Sequence, residues 1–220
     1  LYSYFPDKRL LFMEVARHGC ARQADRAVTI ASGCCEPEMA LREAGHDVVQ
    51  TREPGGSAGA EEIRSLVLEG DPDRWSAETE ILLFTAARRD HLEKTIRPAL
   101  ADGKIVICDR FADSTRVFQG VTRGDLQDKV NRLHEEMIGI EPDLTLLFDM
   151  DPEIGLKRAK GRQTSEERFE DFGQGFQEKC RAAFLELAQN HDRFTIIDAG
   201  RDIEIVAKDV LALVTARLAS

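Results

Sequence analysis

No apolar run in this 220-residue chain reaches the ~18 residues that a bilayer-spanning helix needs, so no membrane-spanning segment is available. Basic residues are also in short supply, 30 Lys and Arg against 40 Asp and Glu. The resulting formal charge of −10 argues against nonspecific binding to nucleic acid, which needs an electropositive footprint. Any phosphate site must therefore be built locally. The cysteines (Cys20, Cys34, Cys35, Cys108 and Cys180) form no CxxC pair and show no zinc spacing, which leaves free thiols in a reducing compartment as the expectation. The first residues, LYSYFPDKRLLF, contain no apolar core or small-residue cleavage site of a secretory signal, and a cytoplasmic location is expected. No Pro/Ser/Gly linker and no internal repeat divides the chain, so a single domain over residues 1–220 is expected.

What is present is an alternation. Short β-branched runs separate helix-length amphipathic segments from residue 46 onward, the pattern of a parallel α/β sheet. Strands are expected at HDVVQT (46–51), KIVICD (104–109), DLTLLFDM (143–150) and RFTIID (193–198), with RLLFMEV (9–15) as a first strand. Most of these runs are almost continuously apolar, as strands buried on both faces should be. The stretch 76–103 reads as a helix, with Ile81, Phe84, Leu92, Ile96 and Leu100 near helical spacing, Ser76 placed to cap its start and Gly103 placed to stop it.

In open parallel sheets ligands bind beyond the carboxyl ends of the strands, so the residues there matter most. After the second strand comes TREPGGS, where Arg52 can hold a phosphate and Glu53 can meet a metal or a basic side chain; a plain Pro-Gly-Gly turn is the simpler reading. After the third comes CDRF. There Asp109 can hold hydrated magnesium and Arg110 can grip phosphate oxygens at two points, unless the two form only a structural ion pair. Phe84 and Arg88 are four apart and share a helix face, suited to stacking on a base and bonding its edge, or else to core packing with a charged surface tip. The polar stretch RAKGRQTSEERFEDFG (158–173), with Arg158, Lys160, Arg162 and Arg168, reads as a cationic lid or as a solvated loop.

Taken in order, GHDVVQTREPGGS, ETEILLFTAARRDHLEKTIRPAL, IVICDRFADSTRVFQG, EPDLTLLFDMDPEIGLKRAKGR and ERFEDF resemble the thymidylate kinases, P-loop nucleoside-monophosphate kinases, over residues 45 to about 218. The resemblance implies a three-layer α/β/α fold with a five-stranded parallel sheet and a lid at about 158–173. It implies transfer of the γ-phosphoryl group of ATP to dTMP, giving dTDP, with Mg2+ and a homodimer. By the same resemblance Phe84 stacks on thymine and Arg88 bonds the base edge. Arg110 holds the dTMP phosphate with Asp109 on the magnesium side, and Arg52 and Glu53 form the phosphate-side turn. Ser114 and Gln119 fall where the family closes over nucleoside and base, Phe118 fills the place of an aromatic common in that turn, and Arg162 is the catalytic lid arginine.

The chain departs from that pattern at its front. Residues 16–38 contain no GxxxxGK[ST], and the only lysine before residue 94 is Lys8, so the backbone cradle, the phosphate-bridging lysine and the magnesium-binding hydroxyl are missing as written. Three explanations are open. Residues 22–27 can be encoded so that a one-base shift reads Gly-Lys-Pro-Thr-Ala, which points to a gene read in the wrong frame. Alternatively the chain is a dTMP-binding pseudoenzyme that has lost its ATP site, or its front end is rearranged. As written, residues 16–38 are expected to be irregular.

Overall fold

The computed structural model describes residues 14–16, 41–42, 44–71, 74–151 and 173–219. Strands β1 (Glu14–Ala16), β2 (Val48–Arg52), β3 (Ile105–Asp109), β4 (Leu144–Asp149) and β5 (Phe194–Asp198) lie in the order β2-β3-β1-β4-β5. Each of β2 to β5 falls within a residue or two of its expected run. The pairs β2/β3 and β4/β5 are parallel. Strand β1 runs antiparallel to both β3 and β4, which corrects the expectation of a sheet parallel throughout. The physical reason is local. A central strand takes its direction from the connection that follows it, and residues 16–38 as written encode no tight glycine turn into a capped helix that would return the chain for parallel pairing. Three residues carry little else to fix a direction.

Alternate residues of the strands enter two apolar clusters. Val48, Ile105 and Ile107 pack with Leu146, Phe184, Val210 and Val214, whereas Val106 packs with Leu92, Ile96 and Leu100, and Val49 leans on that second group. A strand sends successive side chains to opposite faces, so both faces of this part of the sheet are covered by helices.

Helix α1 (Ala58–Leu68) follows β2. The expected long helix is present as α2 (Ala77–His91), a wider π turn (Leu92–Ile96) and α3 (Arg97–Ala101). The Ser76 hydroxyl accepts a hydrogen bond from the Thr79 amide at its start, and Gly103, with φ of 75°, ends it in the left-handed region that glycine tolerates. Across the π turn the neighbours His91 and Leu92 are both fully buried, Leu92 with Ile96 on Val106 and His91 in the site described below. After β3 come α4 (Ala112–Thr115), a second π turn (Arg116–Val121) and α5 (Gln127–Met137). Helix α6 (Gly173–Asn190) precedes β5, and α7 (Ile203–Ala219) packs on it. Among the described residues no helix is long and apolar enough to cross a membrane.

Candidate active site at the strand ends

Strands β2 and β3 pair in register, Arg52 opposite Asp109, and the Glu53 amide donates to the Asp109 carbonyl at 2.8 Å. The loops carrying Glu53 and Arg110 therefore leave the sheet side by side. Glu53 is buried, and a buried carboxylate is costly unless paired. Arg88 Nε donates to its Oε2 at 2.6 Å, and His91 Nδ1 lies 3.2 Å from its Oε1. Arg88 Nη2 donates to Thr115 Oγ1 at 3.1 Å, and the guanidinium sits 5.3 Å from the Phe111 ring centre. Arg88 is thus a buried, multiply held cation and not a charged tip on the surface. His91 Nε2 in turn lies 2.7 Å from Thr51 Oγ1.

The Pro-Gly-Gly turn is locked onto this assembly. Thr95 donates to the Gly56 carbonyl at 2.7 Å and Ser57 to Asp90 at 2.6 Å. Gly56 has φ of 84°, and a Cβ there would come within 2.4 Å of His91 Nε2 and Thr51 Oγ1, so only glycine fits. Arg52 is more exposed and pairs with Glu61 at 3.1 Å. The Gly56 amide holds the Glu61 carboxyl below its ordinary range against the upward push of burial, with Arg52 adding to the downward pull.

A second contact joins α2 to the π turn. Gln119 Nε2 donates to Glu80 Oε2 at 3.1 Å, and Arg123 Nη1 pairs with Glu80 Oε1 at 2.7 Å. Glu80 is 0% exposed and Gln119 2%. Glu80, Phe84, Arg88 and His91 follow one another at steps of four, four and three along α2, and so share its buried face. Buried Phe84 is therefore bracketed by the Glu80–Gln119 and Arg88–Thr115 contacts. Ser114 is half-buried on α4.

Arg110 takes φ of 66°, the one non-glycine residue in the left-handed region among the described residues. Its guanidinium lies 5.1 Å from the Phe118 ring centre, and the Cys108 thiol donates to its carbonyl at 3.0 Å. Phe118 also meets Phe184 edge to face at 5.9 Å. Cys108 and Cys180 are buried free thiols, and burial pushes Cys180 up to about 11.

Two carboxylates end parallel strands here. Asp149 is clasped by Arg181 at 2.6 and 2.8 Å, which holds its carboxyl below the usual range. Asp109, half-buried at the end of β3, is a hard oxygen donor beside the proposed phosphate cation. That suits magnesium, which usually keeps several waters and takes one or two carboxylates plus substrate phosphates. Glu53, His91 and Cys108 also bring ligand atoms within 4.8 Å of one another, but both Glu53 oxygens already carry partners, so this is an ion-pair cluster.

Of the residues singled out in the sequence, Arg52, Glu53, Phe84, Arg88, Asp109, Arg110, Ser114, Phe118 and Gln119 all lie on the strand-end loops β2–α1 and β3–π turn or on the α2 face linked to them. Arg162, residues 17–38 of the anomalous stretch and lid residues 158–172 lie outside the described residues. Glu80, His91, Thr115 and Arg123 were not singled out. The signal for the first two was the regular spacing through Phe84 and Arg88.

The family model described as thymidylate kinase matches residues 38–210, beginning where the anomalous stretch ends. A protein named thymidylate kinase from Ruegeria pomeroyi is 72% identical over 179 residues, 81% of this chain and 85% of that protein. One from a Jannaschia species is 63% identical over 180 residues (81% and 86%), and one from Caulobacter vibrioides 48% over 180 residues (81% and 86%). The family model spans residues 38–210 and these relatives match over most of the chain, which belongs to the thymidylate kinase family.

Proposed function

We propose that this chain catalyses transfer of the γ-phosphoryl group of ATP to dTMP, giving dTDP. The observation that carries the acceptor half is the pair of buried residues Phe84 and Arg88 on one helix face, with Arg88 held by Glu53 and Thr115. Family membership supports the reaction, and the relatives named thymidylate kinase favour an enzyme over a binding-only pseudoenzyme.

In this reading the protein does little covalent work, and positioning and charge neutralisation lower the barrier. Phe84 stacks on thymine while Arg88 bonds the base edge. Ser114, Phe118 and Gln119 close the nucleoside pocket. Arg110 holds the acceptor phosphate, with Arg52 and Glu53 forming the wall on that side. Mg2+, where bound, neutralises phosphate charge, and Asp109 would hold it. Arg162 supplies the lid cation. The fold is read as a single three-layer α/β/α domain with a lid, acting in the cytoplasm. We also read the enzyme as a homodimer, as the family resemblance implies.

The test is incubation of the full chain with ATP, magnesium and dTMP, followed by separation of dTDP. Turnover is expected, and Arg162→Ala should cut it by on the order of a thousandfold while leaving dTMP binding nearly intact. Binding of dTMP without any dTDP would instead favour a donor site lost from residues 16–38, and resequencing the gene across that stretch distinguishes a frame error from divergence.

A further inference from the structure

The two contacts that bracket Phe84 differ in what they leave for a ligand. Arg88 has Nε and Nη2 engaged, so its Nη1 remains as a donor. Gln119 has its Nε2 engaged by Glu80. Glu80 is also paired with Arg123, and an ionised carboxylate only accepts hydrogen bonds, so the Gln119 atom that faces it must be the nitrogen. Its carbonyl oxygen Oε1 is turned the other way, as an acceptor. A side-chain amide in solution has no such preference, because it can flip at almost no cost.

We propose that Glu80, anchored by Arg123, is a positioning residue that locks the Gln119 amide with its oxygen toward the base and thereby sets the preference for thymine over cytosine. The statement rests on the dTMP-acceptor reading above. Thymine offers a donor at N3–H beside an acceptor at O4, and cytosine the reverse, an acceptor at N3 beside an amino donor. An acceptor from Gln119 next to a donor from Arg88 matches thymine and clashes electrostatically with cytosine. A site built on hydrogen bonds discriminates strongly because the wrong partner leaves buried polar groups unsatisfied. In Glu80→Gln the neighbouring amide can donate to Gln119 Oε1, which lets Gln119 turn its nitrogen to the base and suits cytosine.

The experiment is calorimetric titration of the full chain with dTMP and with dCMP, which needs no phosphoryl donor, alongside thermal melts to establish folding. The wild type should prefer dTMP. Glu80→Gln should lower the dTMP-to-dCMP affinity ratio by about tenfold or more, with dCMP binding held or improved. A ratio that stays unchanged, whether both affinities persist or both fall together, overturns the proposal, because a merely structural Glu80 would weaken both ligands alike. Should Glu80→Gln fail to fold, Arg123→Gln releases the other oxygen of Glu80 at a partly exposed position; a smaller fall in the ratio is expected, and no fall overturns the proposal. A wild type that binds neither nucleotide refutes the acceptor-site reading itself and this inference with it.

Discussion

At the scale of single residues, Arg88 is a buried structural cation to which a recognition role is also proposed. Its guanidinium neutralises Glu53 inside the protein, and removing one member of a buried ion pair strands the other. Arg88→Ala should therefore lower unfolding free energy by about 3 kcal/mol in urea titrations. It should also erode discrimination of dTMP from dUMP and dCMP in binding assays, and an intact preference would remove Arg88 from the base edge. The candidacy of Arg88 and Phe84 could be read from their spacing, because helical period alone puts them on one face. The partners could not. Nothing local ties Glu53 to a residue 35 positions later, or Glu80 to Gln119 39 positions later; those pairings exist only once the strand ends and α2 are brought together.

At the scale of elements, four strands and the long helix were legible because each carries its own period and punctuation. The π turns were not, since an extra residue in a helical turn leaves no mark on apolar spacing. Nor was the ion-pair network that ties the segment after β3 to the residues before β4 and β5. There Asp113 accepts from Arg116 and Arg193, and Glu141 meets Arg116, Arg193 and His134, joining α4, α5 and the starts of β4 and β5. Burial alone would raise the Glu141 carboxyl, but the hydrogen bonds from His134 and Arg116 and their charges outweigh it and hold it well below the ordinary carboxylate range. A depressed native pKa gives stability that is fully present above the unfolded value of about 4.3 and is lost as pH falls below it. The urea midpoint of the wild type should thus drop more steeply than that of Glu141→Gln between about pH 5 and pH 3. Parallel curves would show that the network holds no such linkage.

At the scale of the molecule, the proposed acceptor half of the site is a succession of strand-end motifs in the sequence, and the structure gathers those motifs because parallel register puts the ends of β2 and β3 at one level. The direction of β1 was not legible, since it depends on a turn that residues 16–38 do not spell. One position ties the whole together. Arg110 adopts a backbone conformation that costs an L-residue on the order of 1–2 kcal/mol and that glycine takes freely. In thermal melts Arg110→Gly should accordingly be more stable than Arg110→Ala by about 1 kcal/mol, the reverse of the usual order for these two residues. An equal or opposite ranking would mean the bend is relaxed. If the ranking holds, the guanidinium is kept there against the preference of its own backbone. A purely thermodynamic optimisation of this protein would then begin by erasing the residue proposed to grip the acceptor phosphate, and under that proposal heat tolerance gained at that bend would be a marker of lost activity.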